Sequence, residues 1–164
     1  MKNSSFDFKA LGEALRADMQ AFLDSYATKY PGDGPMLAFC LYFDSSMDAT
    51  GMLLPERAEN EAVGAAVDDV ASWFRYGDHI QTRLSEPTTE LFETYQELLD
   101  ESEEEEAKIT KQFKQLIREV MHQLSFDKVN KTDDFIFFAQ GMDENYKHWK
   151  ETIPLPLLKK HFGI

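Results

Sequence analysis

From Phe8 onward, apolar residues recur every third or fourth position: Phe8, Leu11, Leu15, Met19, Phe22 and Tyr26. That spacing lines one face of a helix, with Ser5 as a plausible N-cap. The prolines and glycines of Tyr30-Pro31-Gly32-Asp33-Gly34-Pro35 end it and predict a turn. The pattern then changes. Met36–Phe43 is a nearly continuous apolar run, short and aromatic, which predicts a strand buried on both faces. Asp44-Ser45-Ser46-Met47-Asp48 reads as a turn. Ala49–Pro55, carrying Met52, Leu53 and Leu54, reads as the antiparallel partner strand.

Helical spacing returns at Val63, Ala66, Val67, Val70, Ala71 and Phe74, with Asn60 as N-cap and Gly77 as C-cap. Residues 78–88 are polar and carry no clear periodicity. Glu90–Asp100 predicts a helix with Leu91, Tyr95, Leu98 and Leu99 on one face. Ser102 and Glu105 fit a capping box for a further helix, whose stripe is Ile109, Phe113, Leu116, Ile117, Val120, Met121 and Leu124. Phe126–Thr132 predicts a turn and Asp134–Ala139 a third strand. Short helices follow over Met142–Lys150 and Pro154–Phe162. Strands and helices do not alternate strictly. The expected fold is therefore α+β, a single domain over 1–164 with a small, mainly antiparallel sheet packed with several helices. Strands apolar on both faces leave room for helices on both sides.

Composition agrees with one core. The 164 residues are 43% hydrophobic and include 13 phenylalanines, and a domain of this size buries roughly 70% of its unfolded surface. The lone Cys40 sits inside an apolar run and reads as a buried thiol. One cysteine, with an N-terminus that leads straight into an amphipathic pattern, predicts a reducing, cytoplasmic location. No stretch approaches the ~20 apolar residues of a membrane span.

The formal charge of −13 changes the picture more. It disfavours nucleic acid and anionic membranes as partners and favours a basic protein. Between Leu84 and Ala107 lie ten acids and no lysine or arginine. Within this band Glu97, Asp100, Glu101 and Glu104 are candidate docking residues. The plainer reading is a solvated helix face and a helix start that favours acids. A second candidate is the string Trp73-Phe74-Arg75-Tyr76-Gly77-Asp78-His79. Its Trp73, Arg75, Tyr76, Asp78 and His79 combine residue types that dominate interfaces or line pockets. Its plainer reading is core packing by Trp73 or Phe74 with a solvated Arg75. Asn145–Trp149 forms a weaker string of the same kind.

Reactive chemistry finds no such string. His79, His122, His148 and His161 have no second histidine or cysteine at a ligand spacing. Asp44–Asp48 lacks the glycine and terminal glutamate of a calcium loop. There is no Gly-x-Ser-x-Gly elbow and no phosphate-cradling glycine loop. No catalytic residue, metal or cofactor is therefore expected.

The ordered layout resembles the bacterial family catalogued as domain of unknown function 4303. The resemblance rests on Ala38-Phe39-Cys40-Leu41-Tyr42-Phe43-Asp44, close to a family strand of the form AFALYTDD. It also rests on Trp73–His79, which is similar to the family's arginine–tryptophan stretch with its residues in another order, on DDFIFFAQGMDE (133–144) and on LPLLKKHFG (155–163). Members of that family have been suggested to be immunity proteins of bacterial toxin systems. The resemblance thus implies a protein-binding inhibitor of a toxin, and an acidic inhibitor of a basic toxin is physically consistent. Two other readings stay open. One is a small hydrolase or transferase with a pocket near Arg75, Asp78 and His79, and the other is a housekeeping interaction module.

Overall fold

The structure, a computed structural model, describes residues 6–60, 64–142 and 148–163, without the side chain of Asn60. The apolar period laid down from Phe8 becomes helix α1, Phe8–Lys29, with Leu11, Leu15, Met19, Leu23 and Tyr26 buried. Asp7 caps it, its Oδ1 accepting from the Ala10 N–H at 2.9 Å. Ser5, the expected cap, lies outside the described residues. The predicted turn forms: Pro31–Asp33 is a single 3₁₀ turn, and Gly34 takes a φ of 73° that a side chain would strain.

Strand β1 (Met36–Asp44) is the centre of a three-stranded sheet. It pairs antiparallel with β2 (Asp48–Pro55), as the sequence predicts, and parallel with β3 (Lys131–Gly141). The α+β class holds. The sheet is mixed, with one antiparallel and one parallel pair, where the sequence reading expected mainly antiparallel pairing. The physical reason is the connection. A tight turn can only join antiparallel neighbours, whereas the long helical crossover from β2 to β3 returns the chain in the direction of β1.

Both faces of the sheet are covered. Phe39, Leu41 and Phe43 of β1 point into a core shared with α1, α3 (Glu86–Glu101) and α4 (Glu106–Gln123). Ala38 and Cys40 point the other way, onto Trp73, Ile80, Phe138 and Leu158. The second core is closed by α2 (Glu56–Asn60), α5 (Trp149–Thr152) and α6 (Leu155–Phe162). From Ala38 on, this alternation explains why the β1 sequence is apolar on both faces. Cys40 is fully buried, and burial pushes its thiol well above the usual range.

Two sequence expectations are corrected. The helix foreseen from Asn60 to Tyr76 is not continuous: Asn60 ends α2, Gly64 turns the chain at φ 79°, and among the described residues 64–76 only Val70–Arg75 coils, as 3₁₀ turns. Side chains take the bonds a helix would use: Ser72 Oγ accepts from the Ala66 N–H, and the Trp73 indole donates to the Ala66 carbonyl at 2.8 Å. The capping box is also absent. Ser102 makes no side-chain cap, and Glu103–Glu105 is a 3₁₀ turn leading into α4. The short helix expected over Met142–Lys150 falls mainly on residues 143–147, outside the described residues, and Trp149–Thr152 forms α5.

Gly51 on β2 marks a close approach. A Cβ there would stand 2.9 Å from both the Phe39 ring and the Thr82 hydroxyl, and Thr82 ties its N–H to the Gly51 carbonyl. Gly51→Ala is expected to cost about 1–3 kcal/mol by overpacking. Urea unfolding of the variant against the native chain measures it.

Candidate functional site

Residues nominated by the sequence come together at two polar places among the described residues. The first is built around Asp33. The turn after α1 carries its carboxylate under Tyr26, and the Val70–Ile80 segment brings Tyr76 and His79 to it. Tyr26 Oη donates to Oδ2 at 2.6 Å, Tyr76 Oη donates to Oδ1 at 2.9 Å, and His79 Nε2 lies 2.7 Å from Oδ2. The Asp33 side chain is only 14% exposed. Burial opposes its ionisation, but the bonds from Tyr26, His79 and Tyr76 outweigh that and hold the carboxyl below the usual carboxylate range. Burial, then the Asp33 bond, pushes the Tyr26 phenol up, so it remains a donor.

The His79 ring is framed by aromatics, 4.6 Å from the Tyr30 ring and 5.9 Å from that of Tyr76 between centroids. Gly77 makes this possible: a Cβ there would stand 2.8 Å from His79 Nδ1. Beside the ring opens a cleft of about 860 Å³ between α1 and the Asp78–Arg83 segment, lined among others by Phe22, Lys29, Tyr30, Asp78, His79 and Arg83.

The enzyme reading placed Arg75, Asp78 and His79 in one pocket. The structure brings Asp78 and His79 to the cleft but turns Arg75 away, its Nη1 donating to the Gly64 carbonyl at 3.2 Å. The expectation that Trp73 could anchor a partner is also corrected, because its indole is fully buried between the second core and the Ala66 carbonyl. Tyr76 is half-buried and spends its hydroxyl on Asp33. Asp33, Tyr26, Lys29 and Arg83 were not singled out by sequence. The only local signal was an acid inside a proline–glycine turn, which reads as a turn former.

The second place is the acidic band. Glu97, Asp100, Glu101 and Glu104 all lie exposed on α3 and the α3–α4 junction. Among the described residues none of the four is in an ion pair. The band borders a concavity of about 570 Å³ whose lining includes Ser46, Gln96, Asp100, Glu103 and Glu106. Its other wall is the β1–β2 turn, tied to α3 by Tyr95 Oη donating to the Ser45 carbonyl at 2.6 Å and Gln96 Nε2 to that of Met47 at 3.2 Å. Negative charge converges there: burial raises the Asp48 carboxyl and the neighbouring Asp44 raises it further. Burial likewise raises the Tyr95 phenol, with Asp44 and Glu106 adding to it.

Among the described residues no group of three or more His, Cys, Asp or Glu is placed to hold a metal, and no helix is long and apolar enough to cross a membrane. Comparison of the chain with family models, curated proteins and solved structures finds no match.

Proposed function

We propose that this is a protein-binding protein that receives a basic partner on the acidic edge formed by α3, the α3–α4 junction and the β1–β2 turn. The reading is carried by one observation: an exposed, unpaired row of carboxylates borders a concave groove that is itself acidic. A solvated helix face has no need of a groove. A lysine or arginine entering one meets Asp100, Glu103 and Glu106, and the wider field speeds its approach. An inhibitor of a basic bacterial toxin in the cytoplasm, as the family resemblance implies, is the most concrete form of this role. It requires no covalent chemistry.

Affinity capture from the source cells supplies the partner for the test. The fourfold variant Glu97→Lys, Asp100→Lys, Glu101→Lys, Glu104→Lys replaces only exposed residues. It is expected to slow association with that partner by about tenfold or more at low salt and to flatten its dependence on ionic strength. A captured partner that is acidic, or an association rate unaltered in the variant, removes the reading.

A further inference from the structure

We infer that the cleft between α1 and the Asp78–Arg83 segment is a second, separate binding site, for a small phosphate monoester that carries an aromatic or heterocyclic ring. Its volume of about 860 Å³ falls within the range of roughly 300–1,000 Å³ typical of small-molecule sites. Its polar groups suit an anion. Lys29 and Arg83 both line it, both are exposed, and among the described residues neither makes an ion pair. Two carboxylates also line the cleft. Asp18 Oδ2 is spent on the Ser85 N–H and hydroxyl at 2.8 and 3.0 Å, and Asp78 is exposed.

His79 stands beside them, its ring held by Asp33 at Nε2. Two cations suit a doubly charged phosphate better than a single carboxylate. The ring requirement comes from the cleft's aromatic side. Tyr30 keeps 38% of its surface exposed although it packs on His79, and Phe22 and Tyr26 stand edge to face at 5.5 Å behind it. A flat ring covering Tyr30 removes apolar surface from water while its phosphate reaches the cations.

The test is an NMR titration of the full chain with phenyl phosphate, with inorganic phosphate and benzyl alcohol in parallel. Saturable shifts centred on Lys29, Tyr30, His79 and Arg83 are expected with phenyl phosphate. Inorganic phosphate and benzyl alcohol should each bind at least about tenfold more weakly. The double variant Lys29→Ala, Arg83→Ala changes only exposed side chains and should weaken phenyl phosphate by about tenfold or more with an unchanged melting temperature. No saturable shift, or equal affinity in the double variant, overturns the site. Benzyl alcohol binding as tightly as phenyl phosphate overturns the anion, and inorganic phosphate doing so overturns the ring. The acidic edge plays no part in these readouts, so this site and the protein-binding role stand or fall separately.

Discussion

Trp73→Ala is expected to destabilise the protein by about 3–5 kcal/mol, the range for removing a large aromatic from a packed core. Trp73 is fully buried, edge-on to Phe138 at 6.2 Å, and its indole N–H satisfies the Ala66 carbonyl. It is the largest side chain in the second core and also pins a loop that has little regular structure of its own. Losing it leaves a cavity and orphans the carbonyl together. Trp73→Phe separates the two terms. It keeps most of the apolar contact and loses the donor, so about 1–3 kcal/mol is expected. Urea unfolding of both variants measures the difference. Partner capture by Trp73→Phe should equal that of the native chain, because a buried indole reaches no partner; a selective loss of capture would return Trp73 to the interface.

The same residue shows where sequence reading succeeds and where it stops. The apolar run from Met36 predicts a doubly covered strand because one-residue alternation onto two cores needs apolar side chains at every position. The stripes of α1 and α4 are legible because each helix buries one face only. Between Asn60 and Tyr76 the apolar spacing suits a helix equally well. What decides against it is Gly64 and the capture of backbone groups by Ser72 and Trp73, bonds that span six or seven residues and leave no periodic trace. The direction of β3 is hidden for a different reason. A buried strand presents the same composition to a parallel or an antiparallel neighbour. The acidic band was legible, since charge density needs no fold to be counted, but its groove was not, because the opposite wall comes from a turn about 50 residues earlier. Asp33 was missed on the same ground: two of its three partners lie 43 and 46 residues away.

Asp33→Asn should therefore reveal an interaction that the local sequence conceals. The carboxylate faces two phenol donors and an imidazole nitrogen, and it is largely buried. An amide offers one acceptor oxygen and turns an N–H₂ group toward a donor. A loss of about 2–3 kcal/mol at neutral pH is expected, against about 1 kcal/mol for Tyr26→Phe, which removes a single donor. The pH dependence tests the electrostatic part. The Asp33 carboxyl is held below its ordinary value of 3.8 in the folded chain. The unfolded chain thus takes up the proton first as pH falls. The stabilisation is fully present above the ordinary carboxylate range and drains away as pH drops through the folded value. The stability gap between the native chain and Asp33→Asn should close as pH falls below about 4. A gap that is level into strong acid would mean that packing and not the charge holds Tyr26, Tyr76 and His79 together. Closure in acid places a single ionised carboxylate at the junction of α1, the Pro31–Asp33 turn and the Val70–Ile80 segment, the framework on which the His79 side of the cleft depends.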